Sequence, residues 1–163
     1  MYNHAPNQYE CPLCFPAQGI EDERSMMKQA DIFYRDNLVI AAINSKFVGN
    51  NPGHVIIFPV DHHENIYDLP DHIAARVSYV AKRIAIAIKE IRNCEGVTTQ
   101  QNNEPASGQH AFHYHFHIFP RWSNDKLYDN SNVRVSNPKE RVSCANAFKE
   151  YFAKNPIALP QAS

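Results

Sequence analysis

Seven residues, His113-Tyr114-His115-Phe116-His117-Ile118-Phe119, constrain the fold more than any other stretch of the chain. In an extended strand successive side chains point to opposite faces. His113, His115 and His117 therefore share one face, and Tyr114, Phe116 and Ile118 the other. The apolar face needs a core to cover it. The histidine face needs partners for its ring nitrogens, because a polar group buried without a hydrogen bond is costly. Such a strand belongs in a sheet with an apolar layer on one side and a polar site on the other. One metal ion cannot gather all three imidazoles. Neighbours on one face lie about 6.7 Å apart and the outer two about 13 Å, whereas zinc bonds are ~2 Å long. Two of the three could share an ion. Graded roles fit better: one histidine as nucleophile, with neighbours that orient it and meet its substrate. The bland alternative, an exposed strand of no consequence, leaves the alternation and the adjoining glycine-containing loop unexplained.

The remaining elements follow from punctuation and period. Asp31 to Arg35 and Leu38 to Ile43 are β-branched and aromatic runs around the turn dipeptide Asp36-Asn37, which predicts a hairpin. Asn50-Asn51-Pro52-Gly53 predicts a turn, and His54 to Phe58 a strand stopped by Pro59. Ile73, Val77, Val80, Ile84, Ile88 and Ile91 predict an amphipathic helix of about six turns. It starts near Pro70, with Asp68 as expected cap, and ends by Gly96. A short helix is expected within 20–30, strands at 97–102 and 112–119, an irregular stretch at 124–139, and a second helix at 141–154. The sum is an α+β fold: an antiparallel sheet of about five strands carrying one long helix, with a C-terminal helix. The expected organisation is a flexible tail (1–10), one domain (11–123) and a C-terminal extension (124–163).

Sixteen basic and seventeen acidic residues leave a net charge of −1. That balance argues against a nucleic-acid duplex or an anionic membrane as main partner, so any anion must be met by a local site. The run Ile84 to Ile88 is too short to span a bilayer, and no secretory leader is legible, which sets the expectation of a cytoplasmic protein. Cys94 and Cys144 sit in helical patterns and read as small apolar residues. Cys11-Pro12-Leu13-Cys14 leaves three readings open: a redox pair, an unused pair, or half of a tetrahedral metal site. His4, His63 and His72 read as surface residues.

The strand at 113–119 fits His-φ-His-φ-His-φ-φ, with φ apolar, and so resembles the signature of the histidine triad family of nucleotidyl hydrolases and transferases. The likeness extends to the loop Asn102 to Gln109 with Gly-Gln in register, to the Gly-His strand Pro52 to Pro59, to Ile43-Asn44, and to Pro120-Arg121. It covers about Glu10 to Trp122. The resemblance implies that His115 attacks an α-phosphorus and forms a nucleotidyl-histidine that water then cleaves, with no catalytic metal required. His117 would lie near the α-phosphate, His113 and His54 beside it. Gly108, Gln109 and His110 would meet phosphate, and Asn44 and Asn102 phosphate or ribose. A third histidine, where transferase branches tend to carry Gln, favours hydrolysis of a nucleoside phosphoramidate or dinucleoside polyphosphate. The alternative is a nucleotide- or zinc-binding regulatory module with little turnover. Two departures, Glu104 for a usual glycine and His110 for a usual Ser, Thr or acidic residue, bear on substrate range. Many bacterial members resemble this chain at the cysteine pair. By that resemblance Cys11 and Cys14 join His62 and His113 in a structural zinc site, with His63 a rival to His62. A homodimer is also implied.

Overall fold

The computed structural model describes residues 2–49, 51–129, 131 and 133–159. Its centre is an antiparallel five-stranded sheet in the order β1-β2-β4-β6-β5. β1 spans Ile32–Arg35, β2 Val39–Ile43, β4 Val55–Pro59, β5 Gly96–Gln101 and β6 Phe116–Arg121. β3, Lys46–Val48, pairs with β7, Val133–Val135, in a separate two-stranded ribbon. The helices are α1 (Cys14–Ala17), α2 (Asp71–Arg92) and α3 (Pro138–Lys154). No described helix is long and apolar enough to cross a membrane.

The expected hairpin forms, and Asp36 explains why it closes. Its carboxylate accepts from the amides of Leu38 and Val39, both at 2.8 Å, and from the guanidinium of Arg76 on α2 at 2.7 Å. One turn residue thus ties the hairpin to the long helix. β2 and β4 are buried along their whole length because both faces of the sheet are covered. On one side Val39, Ala41, Ile43, Val55 and Ile57 pack against Ile73, Val77, Val80, Ile84 and Ile88 of α2 and against Phe148 of α3. On the other, Ile40, Ala42, Ile56 and Phe58 meet Cys11, Leu13, Ala17 and Met27 of the N-terminal segment.

Several boundaries differ from expectation. β6 begins at Phe116, not 112, because its partner β4 is paired with it only from Val55 to Ile57. Before Phe116 the chain leaves that ladder, and the Tyr114 amide donates instead to the His63 carbonyl at 2.6 Å. Asp68 does not cap α2. The helix opens at Pro70, whose carbonyl accepts from the amides of Ile73 and Ala74. α3 starts three residues early, since Asn137 caps it, Pro138 occupies its first turn, and Glu140 completes a capping box. The charged stretch 20–30 forms only a single 3-10 turn ahead of β1, and the expected irregular stretch 124–139 contains β7. Residues 2–10 carry no helix or strand, and Glu64 accepts from the amides of His4 and Ala5.

Candidate active site and metal centre

β4 and β6 lie side by side, and their register carries histidines onto one face of the sheet. Tyr114, Phe116 and Ile118 pack into the α2 side, so His113, His115 and His117 face away from it. Gly53 adopts φ +78°, and a Cβ there would lie 2.5 Å from the Arg92 guanidinium and 2.8 Å from Cys144 Sγ. Only glycine makes this turn, which delivers His54 to the start of β4.

The histidines divide into two groups. The first is His54, His115 and His117. The His115 and His117 ring centroids are 4.9 Å apart, and those of His54 and His117 5.6 Å. Nδ1–H of His115 donates to the His113 carbonyl at 2.7 Å, leaving Nε2 with a free lone pair. Asn44 Nδ2 donates to His54 Nε2 at 2.6 Å, so the His54 proton sits on Nδ1. His54 Nδ1 and His117 Nδ1 are buried without a partner. Burial, with His115 adding to it, drives His54 down to about 3. Burial also lowers His115, and it lowers His117 well below the usual histidine range with help from His115 and His54. All three are neutral at physiological pH, which is the form a nucleophilic imidazole needs.

These rings border a cavity of about 700 Å³. Asn44, Asn102, Gly108 and His110 also line it. Gly108 takes φ +89° at the tip of the loop between β5 and β6. Gln109 does not reach the cavity. Its Oε1 accepts from the Glu104 amide at 2.7 Å and its Nε2 donates to the Glu64 carbonyl at 2.6 Å, so both ends of the side chain brace the loop from behind. The expectation that its side chain donates to phosphate is corrected accordingly. The walls include residues that the sequence did not single out: Pro12, Leu13, Met26, Lys46, Leu127 and Tyr128. Pro12 and Leu13 lie inside the Cys11–Cys14 motif but count there only as its spacer, and the others come from segments without a motif. Arg24 and Lys46 are the charged groups on the described wall, which carries no carboxylate. Arg24 is already paired with Asp22 and Glu10, so the bias of the cavity towards an anion rests on Lys46 and the absence of a carboxylate from the described wall.

The second group is Cys11, Cys14, His62 and His113, whose four ligand atoms all lie within 4.8 Å of one another. Cys11 Sγ is 3.2 Å and Cys14 Sγ 3.6 Å from His113 Nδ1, and Cys14 Sγ is 3.4 Å from His62 Nδ1. A tetrahedral ion with two sulfurs at about 2.3 Å and two nitrogens at about 2.0 Å sets S···N edges of ~3.5 Å. The donors fit such an ion. His113 Nε2–H donates to the Pro59 carbonyl at 3.1 Å, which fixes Nδ1 as the free donor atom. Burial, then Cys11, pushes the Cys14 thiol up to about 12, so paired thiolates here need a cation between them. His63 lies outside the cluster; its carbonyl is occupied by the Tyr114 amide. The imidazole of His113, expected in both the catalytic and the metal groups, points into the cysteines. Only its carbonyl reaches the reacting side. His4 is exposed but not unattached, because its ring hydrogen-bonds Glu104 at 2.8 Å.

Comparison with known proteins agrees with this geometry. The HIT domain model matches residues 26–124. A HIT-like protein of Borreliella burgdorferi is 34% identical over 141 residues, covering 81% of this chain and 93% of that protein. The protein Hit of Bacillus subtilis is 36% identical over 89 residues, which span 55% of this chain and 60% of the relative. An adenosine 5'-monophosphoramidase of Saccharomyces cerevisiae is 33% identical over 69 residues, 42% of this chain and 41% of that enzyme. A zinc-bound histidine triad family protein from Mycobacterium smegmatis has the same fold, with a TM-score of 0.73 and 24% identity over 90% of this chain and 95% of that one. With its triad on one sheet face and a family-model match over more than half its length, this chain belongs to the histidine triad (HIT) family.

Proposed function

We propose that this protein hydrolyses nucleotides at the α-phosphate, through a covalent intermediate on His115. The observation that carries the reading is the His115 hydrogen bond to the His113 carbonyl, 2.7 Å long, which leaves Nε2 as a free, neutral nucleophile beside an anion-favouring cavity. In the first step Nε2 forms a bond to phosphorus, and the bond from phosphorus to the leaving group breaks, its electron pair departing with that group, which takes up a proton from solvent as it leaves. In the second, water forms a new P–O bond, loses a proton to solvent, and returns the electron pair to Nε2. Splitting one displacement into two lowers the barrier of each. His117 and the amides around Gly108 would meet the phosphate oxygens. Asn44 and Asn102 are assigned to ribose or phosphate, and His110 to the side of the leaving group.

A nucleoside phosphoramidate is the first substrate class to test, because the yeast relative is an adenosine 5'-monophosphoramidase; a dinucleoside polyphosphate is the second. Zinc is assigned to Cys11, Cys14, His62 and His113 in a structural role, because four protein ligands close the coordination sphere against water. The protein is read as a cytoplasmic homodimer. Incubation with adenosine phosphoramidate or diadenosine polyphosphate should release AMP, and His115→Ala should abolish the release. Tight AMP binding with no turnover of any such substrate would replace the hydrolase by a nucleotide-binding module.

A further inference from the structure

Glu104 takes φ +66° and ψ 158°, angles that glycine adopts freely and other residues resist. Pro105 accounts for the ψ, since a residue before proline is pushed to extended values, but not for the positive φ. The two angles set how the amide and the carbonyl of Glu104 point relative to one another, and both groups are in use. The amide donates to Gln109 Oε1 at 2.7 Å, and the carbonyl accepts from the Ser107 and Gln109 amides, each at 3.2 Å. The loop that closes on Glu104 carries Ser107, Gly108 and His110, which line the cavity. With an ordinary negative φ, Glu104 could not keep both sets of bonds. Its side chain supplies the support that the backbone lacks. His4 Nε2–H donates to one carboxylate oxygen at 2.8 Å, and the Tyr67 hydroxyl to the other at 3.2 Å. His4 is itself held. Glu64 accepts from the His4 and Ala5 amides, and Asn65 Nδ2 donates to the Tyr2 carbonyl at 3.2 Å and to Asn3 Oδ1 at 2.9 Å. The Tyr2 and Tyr67 rings lie 4.8 Å apart, and the Tyr9 hydroxyl accepts from the Phe112 amide at 3.0 Å. An isolated exposed pair would add little, but a tail already ordered brings His4 to Glu104 at small further entropy cost.

We propose that His4, Tyr67 and Glu104 form a latch of positioning residues, by which the N-terminal segment holds the cavity loop 104–110 ready for its ligand. None of the three is on the described cavity wall, so they act through the loop. The proposal rests on the hydrolase reading only in taking the ligand of this cavity to be a nucleotide. A loop that has relaxed must be rebuilt on binding, and apparent affinity then falls by the fraction of molecules still competent. The latch keeps that fraction near one. Once ligand is bound the loop is in place either way, so the latch acts on affinity and KM and leaves the chemistry at His115 alone.

The test uses the full chain and measures AMP affinity by calorimetry, KM and kcat on adenosine phosphoramidate, and hydrogen exchange of the Glu104, Ser107 and Gln109 amides. Glu104→Ala, which keeps the strain and loses the latch, should weaken AMP binding and raise KM about tenfold, with kcat within about twofold of wild type. His4→Ala should act in the same direction by about threefold, and both variants should speed exchange of the three amides. Glu104→Gly, whose backbone takes these angles without help, should recover most of the affinity lost in Glu104→Ala. In that background His4→Ala should add less than about 1.5-fold, because the contact it breaks is already gone. The latch is refuted if Glu104→Gly binds AMP as weakly as Glu104→Ala, or if His4→Ala leaves affinity and exchange as in wild type. It is likewise refuted if the His4→Ala effect persists undiminished in the glycine background. A fall in kcat and melting temperature with KM unchanged would also overturn it, since general loosening of the fold produces that pattern. Absence of turnover in wild type would instead defeat the hydrolase reading, while AMP affinity would still decide the latch. If wild type bound no AMP either, amide exchange would decide it.

Discussion

Two groups of imidazoles sit on the same sheet face and meet opposite fates. In the group of Cys11, Cys14, His62 and His113, four donor atoms converge within 4.8 Å and the outer nitrogen of His113 is bonded to a carbonyl. In the group of His54, His115 and His117, one nitrogen of His115 is bonded to a carbonyl but the other faces a cavity, and two further ring nitrogens have no partner. The contrast shows that residue type does not decide an imidazole's job. Its second nitrogen fixes the tautomer, and whatever lies at the first nitrogen (thiolates or open space) decides between ligand and nucleophile.

The largest effect that could break this contrast is on the nucleophile. His115→Asn should keep the fold and AMP binding while lowering kcat by at least about a thousandfold, as loss of a covalent nucleophile does. Circular dichroism, AMP titration and single-turnover kinetics check the three parts. A variant with near-normal kcat would remove the distinction between the two groups.

The metal group should respond in stability first. Cys11→Ser, or chelation, should lower the melting temperature by roughly 5–10 °C, the shift expected when a ligand worth about 3 kcal/mol is lost from a chain of this size. Metal analysis should find about one zinc per chain in wild type. Unchanged melting with both cysteines freely reactive would sink the metal group and leave the nucleotide chemistry in place.

Acid sharpens the comparison further. His54 titrates near 3 in the folded protein and near 6.5 unfolded, so between those values the unfolded chain binds more protons. Its contribution to stability is therefore complete above about pH 6.5 and is lost progressively as pH falls towards 3. His117 acts in the same direction. Melting temperature should fall from pH 7 to pH 5, and His54→Phe should flatten that slope. An unchanged slope would mean that the His54 ring is not buried and neutral as described.

The smallest effect concerns Asn44, whose side chain donates to His54 Nε2. Asn44→Ala removes two hydrogen bonds, to His54 Nε2 and to the Lys46 carbonyl, each worth roughly 1 kcal/mol. Calorimetric AMP titration should show a loss of affinity within about tenfold, far below the effect at His115. A loss as large as that of His115→Asn would move Asn44 into the reacting group.

Much of this was legible in the residues. Strict alternation at 113–119 identified which side chains share a face, because a strand's period is set by backbone geometry and not by context. The period of Ile73, Val77, Val80, Ile84 and Ile88 identified α2 for the same reason, and the resemblance brought Cys11, Cys14, His62 and His113 together. The cap of α2 was not legible, since Asp68 had the right chemistry but Pro70 took the position. Nor was β7, because a three-residue exposed strand carries no periodic signal and exists only through its pairing with Lys46 to Val48.

Local chemistry by itself determined the sheet strand that bears the histidines, the amphipathic long helix, and the residue types able to attack phosphorus or bind a metal. The tertiary structure alone decided that the His113 ring turns to the cysteines while its carbonyl holds His115, and that Gln109 braces its loop instead of facing the cavity. Alternation assigns a side chain to a face, but it says nothing about which groups arrive there from distant parts of the chain. Those arrivals, Cys11 from 102 residues away and Glu64 from 45, choose the hydrogen-bond partners, and the partners set the chemistry.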